Sequence, residues 1–305
     1  MPSLRQHLAI DITPLRASRD LRLLVLGNVV SGLGTQAALV ALPYQIYIET
    51  GSAFLTGLLG AVELVPLVAM ALLGGAVADR RDRRKILLLD QIALVVTAAA
   101  LAALAFGGSP PIPLLYLLGG LTAGFGAVQN VTRSAIVPNL VEPERLRSAL
   151  ALNFGLMAVT MVIGPAIGGV LIGAFGVGAA YTVDAVSCLA MVAAAAAMRP
   201  QPPQGDGPPV DGVLRSIAEG LRFVRRNRAL TGSFAIDLMA MTFGMPRALF
   251  PVLAVSVYHA GAAGTGLLYA AVSVGATVAA LPTGWLAHAR RLGRIVIWAV
   301  AAWGA

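Results

Sequence analysis

The chain has 305 residues, 58% hydrophobic and 12% charged, with a mean hydropathy of +0.82. Soluble domains carry about 25% charged residues, so this composition excludes a soluble enzyme and points to an all-α integral membrane protein. The net charge of +8 invites a nucleic-acid reading, but the basic residues are scattered between apolar runs rather than gathered on one face; no nucleic-acid partner is expected.

Residues 1–20, MPSLRQHLAIDITPLRASRD, hold no apolar core of signal-peptide length, so the first long apolar run reads as a retained span. A helix crosses a hydrocarbon core of about 30 Å in about 20 residues. Runs of that length predict spans near 22–48, 54–78, 85–106, 113–136, 149–173, 178–198, 229–257, 263–287 and from 294 onward. Twenty of the 22 basic residues fall before the first span or in every second connection after it. The other connections, near 49–53, 107–112, 174–177 and 258–262, hold none. Positive loops stay cytoplasmic, which predicts a cytoplasmic N-terminus. With Ala and Gly abundant and Lys85 the one lysine, the composition is that of a GC-rich bacterial gene, and the expected location is a bacterial cytoplasmic membrane, multi-pass.

The connection after the sixth span differs from the rest. RPQPPQGDGPPVDG, Arg199 to Gly212, is too rich in Pro and Gly for a helix. After it, Val213, Ile217, Leu221 and Val224 share one helical face with arginines elsewhere, which predicts an amphipathic helix on the inner leaflet. The expected organisation is a six-helix bundle over 1–198, a cytoplasmic linker over 199–228 and an incomplete second bundle over 229–305. A repeat spans the linker: GLL at Gly57–Leu59 recurs at Gly266–Leu268, and Gly75 meets Gly284 at the same offset. AVADRRDRRK follows the first glycine and WLAHARRLGR the second, so His288 stands where the first copy has Asp79.

GGAVADRRDRRK ends in seven consecutive charged residues, Asp79 to Lys85. It resembles the GxxxDRxGRR signature between the second and third helices of the major facilitator superfamily. Gly75, Asp79, Arg80, Arg83 and Arg84 fall on signature positions, and Asp82 stands at the usual glycine. IGPAIGGV, Ile163–Val170, is similar to the fifth-helix GPxxGG run of the superfamily's exporters through Gly164, Pro165, Gly168 and Gly169, with Thr160 replacing an earlier glycine. RSAIVPNLVEPERLRSALALN and YTVDAVS resemble the branch of enterobactin-type siderophore exporters.

The resemblance implies a fold of two six-helix bundles, of which about nine spans begin within these residues, rocking about a midplane cavity lined mainly by helices one, four, seven and ten. It implies proton-coupled efflux of a small organic molecule, a siderophore or drug-like amphiphile, by a monomer that draws on the proton gradient. It also implies an inner latch at Asp79. The competing expectation is a non-transporting membrane subunit or a truncated remnant of such a transporter.

Ionisable residues at membrane depth are unfavourable and so mark candidate sites. Glu63 is a candidate proton or substrate carboxylate. Arg133, near the inner end of the fourth span, either snorkels to the headgroups or serves proton or substrate. Arg247 is placed to meet an anionic substrate group, Asp237 to titrate, and Asp184 to act as a packing hydrogen-bond partner. Asn28, Gln36 and Tyr44 of the first span are candidate cavity polar groups. His7, His259 and His288 are far apart and Cys188 stands alone, so no metal centre, triad, enzyme activity or cofactor is expected. The sequence has no GxxxxGK phosphate loop, which leaves an ion gradient as the energy source.

Overall fold

The structure, a computed structural model, describes residues 13–78, 80–202, 222–244, 247–280 and 292–304. Among these, the regular elements are all helical. After a short helix at Thr13–Ala17 come α1 (Arg19–Thr50), α2 (Ala53–Ala78), α3 (Arg83–Phe106), α4 (Ile112–Leu140), α5 (Leu146–Phe175) and α6 (Val177–Ala197). Beyond the linker lie α7 (Arg228–Gly244), α8 (Gly261–Ala280) and α9 (Leu292–Gly304). Seven described helices, α1 to α6 and α8, are long and apolar enough to cross a membrane. The chain is a multi-pass membrane protein.

Local chemistry sets the ends. Ser18 caps α1 by accepting the Leu21 amide at 3.2 Å, one of the donors a helix start leaves unpaired. Gly51, at φ +62°, closes the same helix in the left-handed region that glycine enters without a Cβ clash. The expected span 229–257 is not one helix. Regular α7 ends at Gly244, and Arg247–Val257 runs through a 3-10 turn, one α turn and a π turn closed by the Tyr258 amide on the Leu253 carbonyl at 2.9 Å. Pro251 lacks an amide hydrogen, so a regular ladder cannot pass through it unbroken. The expected amphipathic face falls mostly on residues outside those described; 222–226 are helical.

The helices pack in a set order. α1 runs along α6 and α5, α3 packs on α6 and α4, α2 on α4, and α8 on α5, while α7 and α9 touch each other. Small residues allow the close approaches that hold membrane helices together without a hydrophobic drive: a Cβ at Gly34 would lie 2.9 Å from the Asp184 Cα, and one at Gly74 3.2 Å from the Val128 Cα. Two apolar clusters form the core. One gathers Val40, Ile46, Leu101, Leu115 and Tyr181 toward the loops that lack basic residues. The other gathers Leu21, Leu24, Leu87, Ile136 and Met191 toward the basic loops.

Candidate functional site

A cavity of about 640 Å³ opens between α1, α2, α4 and α6 and is also walled by Arg247 and by Tyr269 of α8. Its surface is mostly apolar, from Leu39 and Leu42 of α1, Leu59 and Leu67 of α2 and Ala123 of α4. Three charged side chains line it: Glu63, Asp184 and Arg247.

Each is held by its element. Glu63 sits half-buried on α2, and Gly119 of α4 makes room for it: a Cβ there would fall 3.3 Å from Glu63 Oε1 and 2.7 Å from Leu42 Cδ2. Arg247 opens the 3-10 turn. The Tyr269 hydroxyl donates to its carbonyl at 3.0 Å, and the Tyr269 ring meets Phe250 edge-on at 5.0 Å. Asp184, 5% exposed, accepts the Thr35 hydroxyl at 3.0 Å and the Cys188 thiol at 3.6 Å. It is thus the packing partner expected from the sequence and a cavity residue as well.

Other candidates lie elsewhere. Asn28 donates to Asn153 Oδ1 at 3.5 Å and borders a void of about 10 Å³ between α1 and α5. Gln36 packs beneath Gly164, and Asp237 is exposed on α7, off the cavity wall. Arg133 does not snorkel: its Nη2 donates to Ser31 Oγ of α1 at 3.2 Å, and Ser31 is only 1% exposed, so the guanidinium turns into the bundle. The burial of that polar partner fixes its direction.

The fifth-helix motif presents two faces. A Cβ at Gly164 would lie 2.5 Å from Gln36 Cβ, and one at Gly168 2.6 Å from Ala37 Cα, so both serve α1. Gly169 serves α8, where a Cβ would lie 2.9 Å from Gly266 Cα. Pro165 stands inside the helix between them. Thr160 is tolerated at the motif's glycine position because it faces Gly32 of α1, where even an added Cβ would stand 3.5 Å from the Thr160 Oγ1.

In the charged knot, Asp79 lies outside the described residues, Gly75 faces Val131 and Arg80 occupies the turn before α3. Arg83 donates to the Ala135 carbonyl at 2.8 Å, to Asn139 Oδ1 at 3.3 Å and to the Ala78 carbonyl at 3.3 Å. Arg84 donates to the Ala195 and Ala196 carbonyls at 2.9 and 2.5 Å. The Ala78, Ala195 and Ala196 carbonyls lie in the last turns of α2 and α6, where intrahelical donors run out and the helix dipole favours a cation, and Ala135 lies five residues before the end of α4. The arginines therefore join three helix ends, beyond any part in topology. Asp82 caps α3 through the Arg84 amide at 3.0 Å and accepts the Gln201 amide at 2.9 Å, while the Arg83 amide donates to the Gln201 carbonyl at 3.0 Å. The linker thus starts pinned to the knot.

Sequence reasoning passes over Thr35, Asp90 and Tyr269, and marks Asp82 only as a departure from the signature. Only Asp90 carried a usable signal: a carboxylate inside LLLDQIAL is the same mark that singles out Glu63.

Comparison with known proteins agrees with this architecture. The family model described as transmembrane secretion effector matches residues 10–304. The enterobactin exporter EntS of Citrobacter koseri is 31% identical over 298 residues, covering 96% of this chain and 70% of that protein. Its counterparts in Shigella boydii serotype 4 and Escherichia coli O127:H6 are 30% identical over the same length, with the same coverage.

Proposed function

The chain belongs to the transmembrane secretion effector family of the major facilitator superfamily, and from that premise we propose that it exports a small organic amphiphile of the siderophore class in exchange for protons. The observation that carries this reading is the cavity of about 640 Å³ with Glu63 and Arg247 in its mostly apolar lining. Its size lies in the range of about 300–1,000 Å³ typical of small-molecule sites. Apolar surface takes up an amphiphile, Arg247 pairs with its anionic groups, and Glu63 supplies a carboxylate that substrate and proton contest.

Transport proceeds by alternating access, with residues 1–198 and those after the linker 199–228 rocking about the cavity. Contacts between the two parts support this. The Tyr47 and Ser256 hydroxyls are bonded, and Gly169 meets Gly266, both toward the loops that lack basic residues. With the basic loops and N-terminus cytoplasmic, the outer side is then the closed one. Gly75, Asp79, Arg80, Arg83 and Arg84 form the inner latch, and the monomer is the working unit.

The test is transport. Inside-out vesicles carrying the full-length protein should accumulate enterobactin under an imposed pH gradient and lose it when a protonophore collapses that gradient. Accumulation no greater than in vesicles without the protein sinks the reading for this substrate class.

A further inference from the structure

Between the two apolar clusters lies a polar layer inside the bundle of α1 to α6. Ser31 on α1, Asp90 and Gln91 on α3, Thr132 on α4 and Asp184 on α6 are each at most 5% exposed. Along each helix the polar residues fall between members of the two clusters: between Val25 and Ala37 on α1, Leu87 and Leu101 on α3, Leu118 and Ile136 on α4, and Tyr181 and Met191 on α6. A layer buried this way must satisfy its polar groups internally, and it does so only in part. Neither Asp90 oxygen has a hydrogen-bond partner among the described residues, nor has Arg133 Nε.

Three charged groups stand in the layer. Arg133 is bonded to Ser31 and stands close enough to Asp90 for the two charges to attract. Cys188 in turn donates to Asp184, which also holds Thr35. The layer therefore holds two carboxylates and one guanidinium, and with both carboxylates ionised it carries one uncompensated negative charge. Such a charge is strongly unfavourable on groups this deeply buried. Among the described residues no hydroxyl or amide lies within hydrogen-bond reach of Asp90, so the oxygen ligands a hard metal cation takes are not assembled there. A proton needs none.

We propose that Asp90, Arg133 and Asp184 form a one-proton exchange site in this layer, separate from the cavity except at Asp184. Arg133 neutralises one carboxylate while the proton neutralises the other. An O–H bond forms as the proton arrives from water on one side, and the same bond breaks as it leaves to water on the other. α1 presents to the site the uncharged Ser31 and Thr35, α4 presents Arg133, and α6 presents Asp184 and Cys188 with Tyr181 one turn beyond. Asp184 and Thr35 also line the cavity, as do Glu63 and Arg247, so a substrate entering there meets the carboxylate that trades the proton. The site deepens the exporter reading and rests on its proton coupling.

The experiment compares wild type, Asp90→Asn, Asp184→Asn and the double variant Asp90→Asn/Arg133→Gln, all full-length in inside-out vesicles with enterobactin as probe. Either single change leaves the layer neutral without a proton. Gradient-driven accumulation should then be lost in both, while enterobactin exchange at equal pH persists in Asp90→Asn, whose carboxylate does not line the cavity. The double change restores one negative charge and should restore gradient drive. Undiminished gradient-driven accumulation by Asp90→Asn overturns the site, as does drive by a sodium gradient in place of protons. Infrared titration of the purified protein gives a readout that needs no transport: a protonated-carboxyl band that Asp90→Asn or Asp184→Asn removes. A spectrum unchanged in both variants overturns the proposal, even if a variant of the transport series misfolds. Wild-type vesicles that accumulate nothing would sink the exporter reading, and the infrared band would still decide the site.

Discussion

Gly169 of α5 and Gly266 of α8 meet backbone to backbone: a methyl group added at Gly169 would fall 2.9 Å from the Gly266 Cα and 2.7 Å from the Ala262 carbonyl oxygen. Lipid tails are as apolar as leucine, so helices associate in a bilayer mainly through such close contact. Because Gly164 and Gly168 of the same run face α1, GPAIGG is the place where the first six helices grip α8, beyond the linker.

Gly169→Ala should therefore overpack this contact and destabilise the protein by about 1 to 3 kcal/mol. Gly173→Ala, one turn further along α5 with nothing within 4 Å of its added Cβ, should be neutral or stabilising by up to about 1 kcal/mol through helix propensity. Thermal unfolding in detergent separates the two. Equal melting temperatures would refute the close approach.

Arg83 and Arg84 are expected to matter for shape as well as sign. Arg83→Lys keeps the positive charge that directs topology but not the planar fork that reaches Ala135 and Asn139 together. The abandoned carbonyl partner implies a loss of about 1 to 3 kcal/mol, with membrane orientation unchanged. Thermal unfolding reports the first outcome, and a reporter fused after Pro202 reports the second. Wild-type stability in Arg83→Lys would reduce the knot to a topology signal.

Asp82 and Asp79 should separate by readout. Asp82→Gly restores the superfamily's usual residue yet removes the α3 cap and the Gln201 amide contact. It should cost about 1 kcal/mol and hasten proteolysis of the linker just beyond Gln201, while transport continues. Asp79→Asn should impair transport more than Asp82→Gly does. Transport by Asp79→Asn at the wild-type rate would remove the latch role.

The helices were legible because their signal is long and local: twenty apolar residues and a Gly or Ser at the end suffice to place α1 or α3. The interruption near Pro251 was legible only as a proline; whether it kinks a helix or starts a π turn depends on what Phe250 and Tyr269 pack against. Site residues fared less evenly, for a physical reason. A lone ionisable residue such as Glu63 or Arg247 stands out against an apolar run, but which face it occupies is set by neighbouring helices. Gln36 and Asp237 carry equally good sequence signals, yet one lies beneath Gly164 and the other is exposed on α7. Asp184 shows the converse. Its hydrogen bond to Thr35 links residues 149 positions apart, a pairing no local pattern records.

The cavity assignment yields the last test. If Glu63 and Arg247 act on substrate in the cavity, Glu63→Gln and Arg247→Gln should each weaken transport, with Arg247→Gln raising the apparent KM on the order of tenfold, as expected for losing one charge-assisted hydrogen bond of about 1.5 kcal/mol or more. Arg247→Lys should recover part of that loss, since a point charge still attracts an anion but cannot bind it with two parallel donors. Asp237→Asn, off the wall, should leave KM within about twofold of wild type, the effect of a surface change under about 0.5 kcal/mol. Initial rates of enterobactin uptake into inside-out vesicles over a concentration series measure all four. A larger KM effect at Asp237 than at Arg247 would move the substrate site from this cavity to the surface of α7.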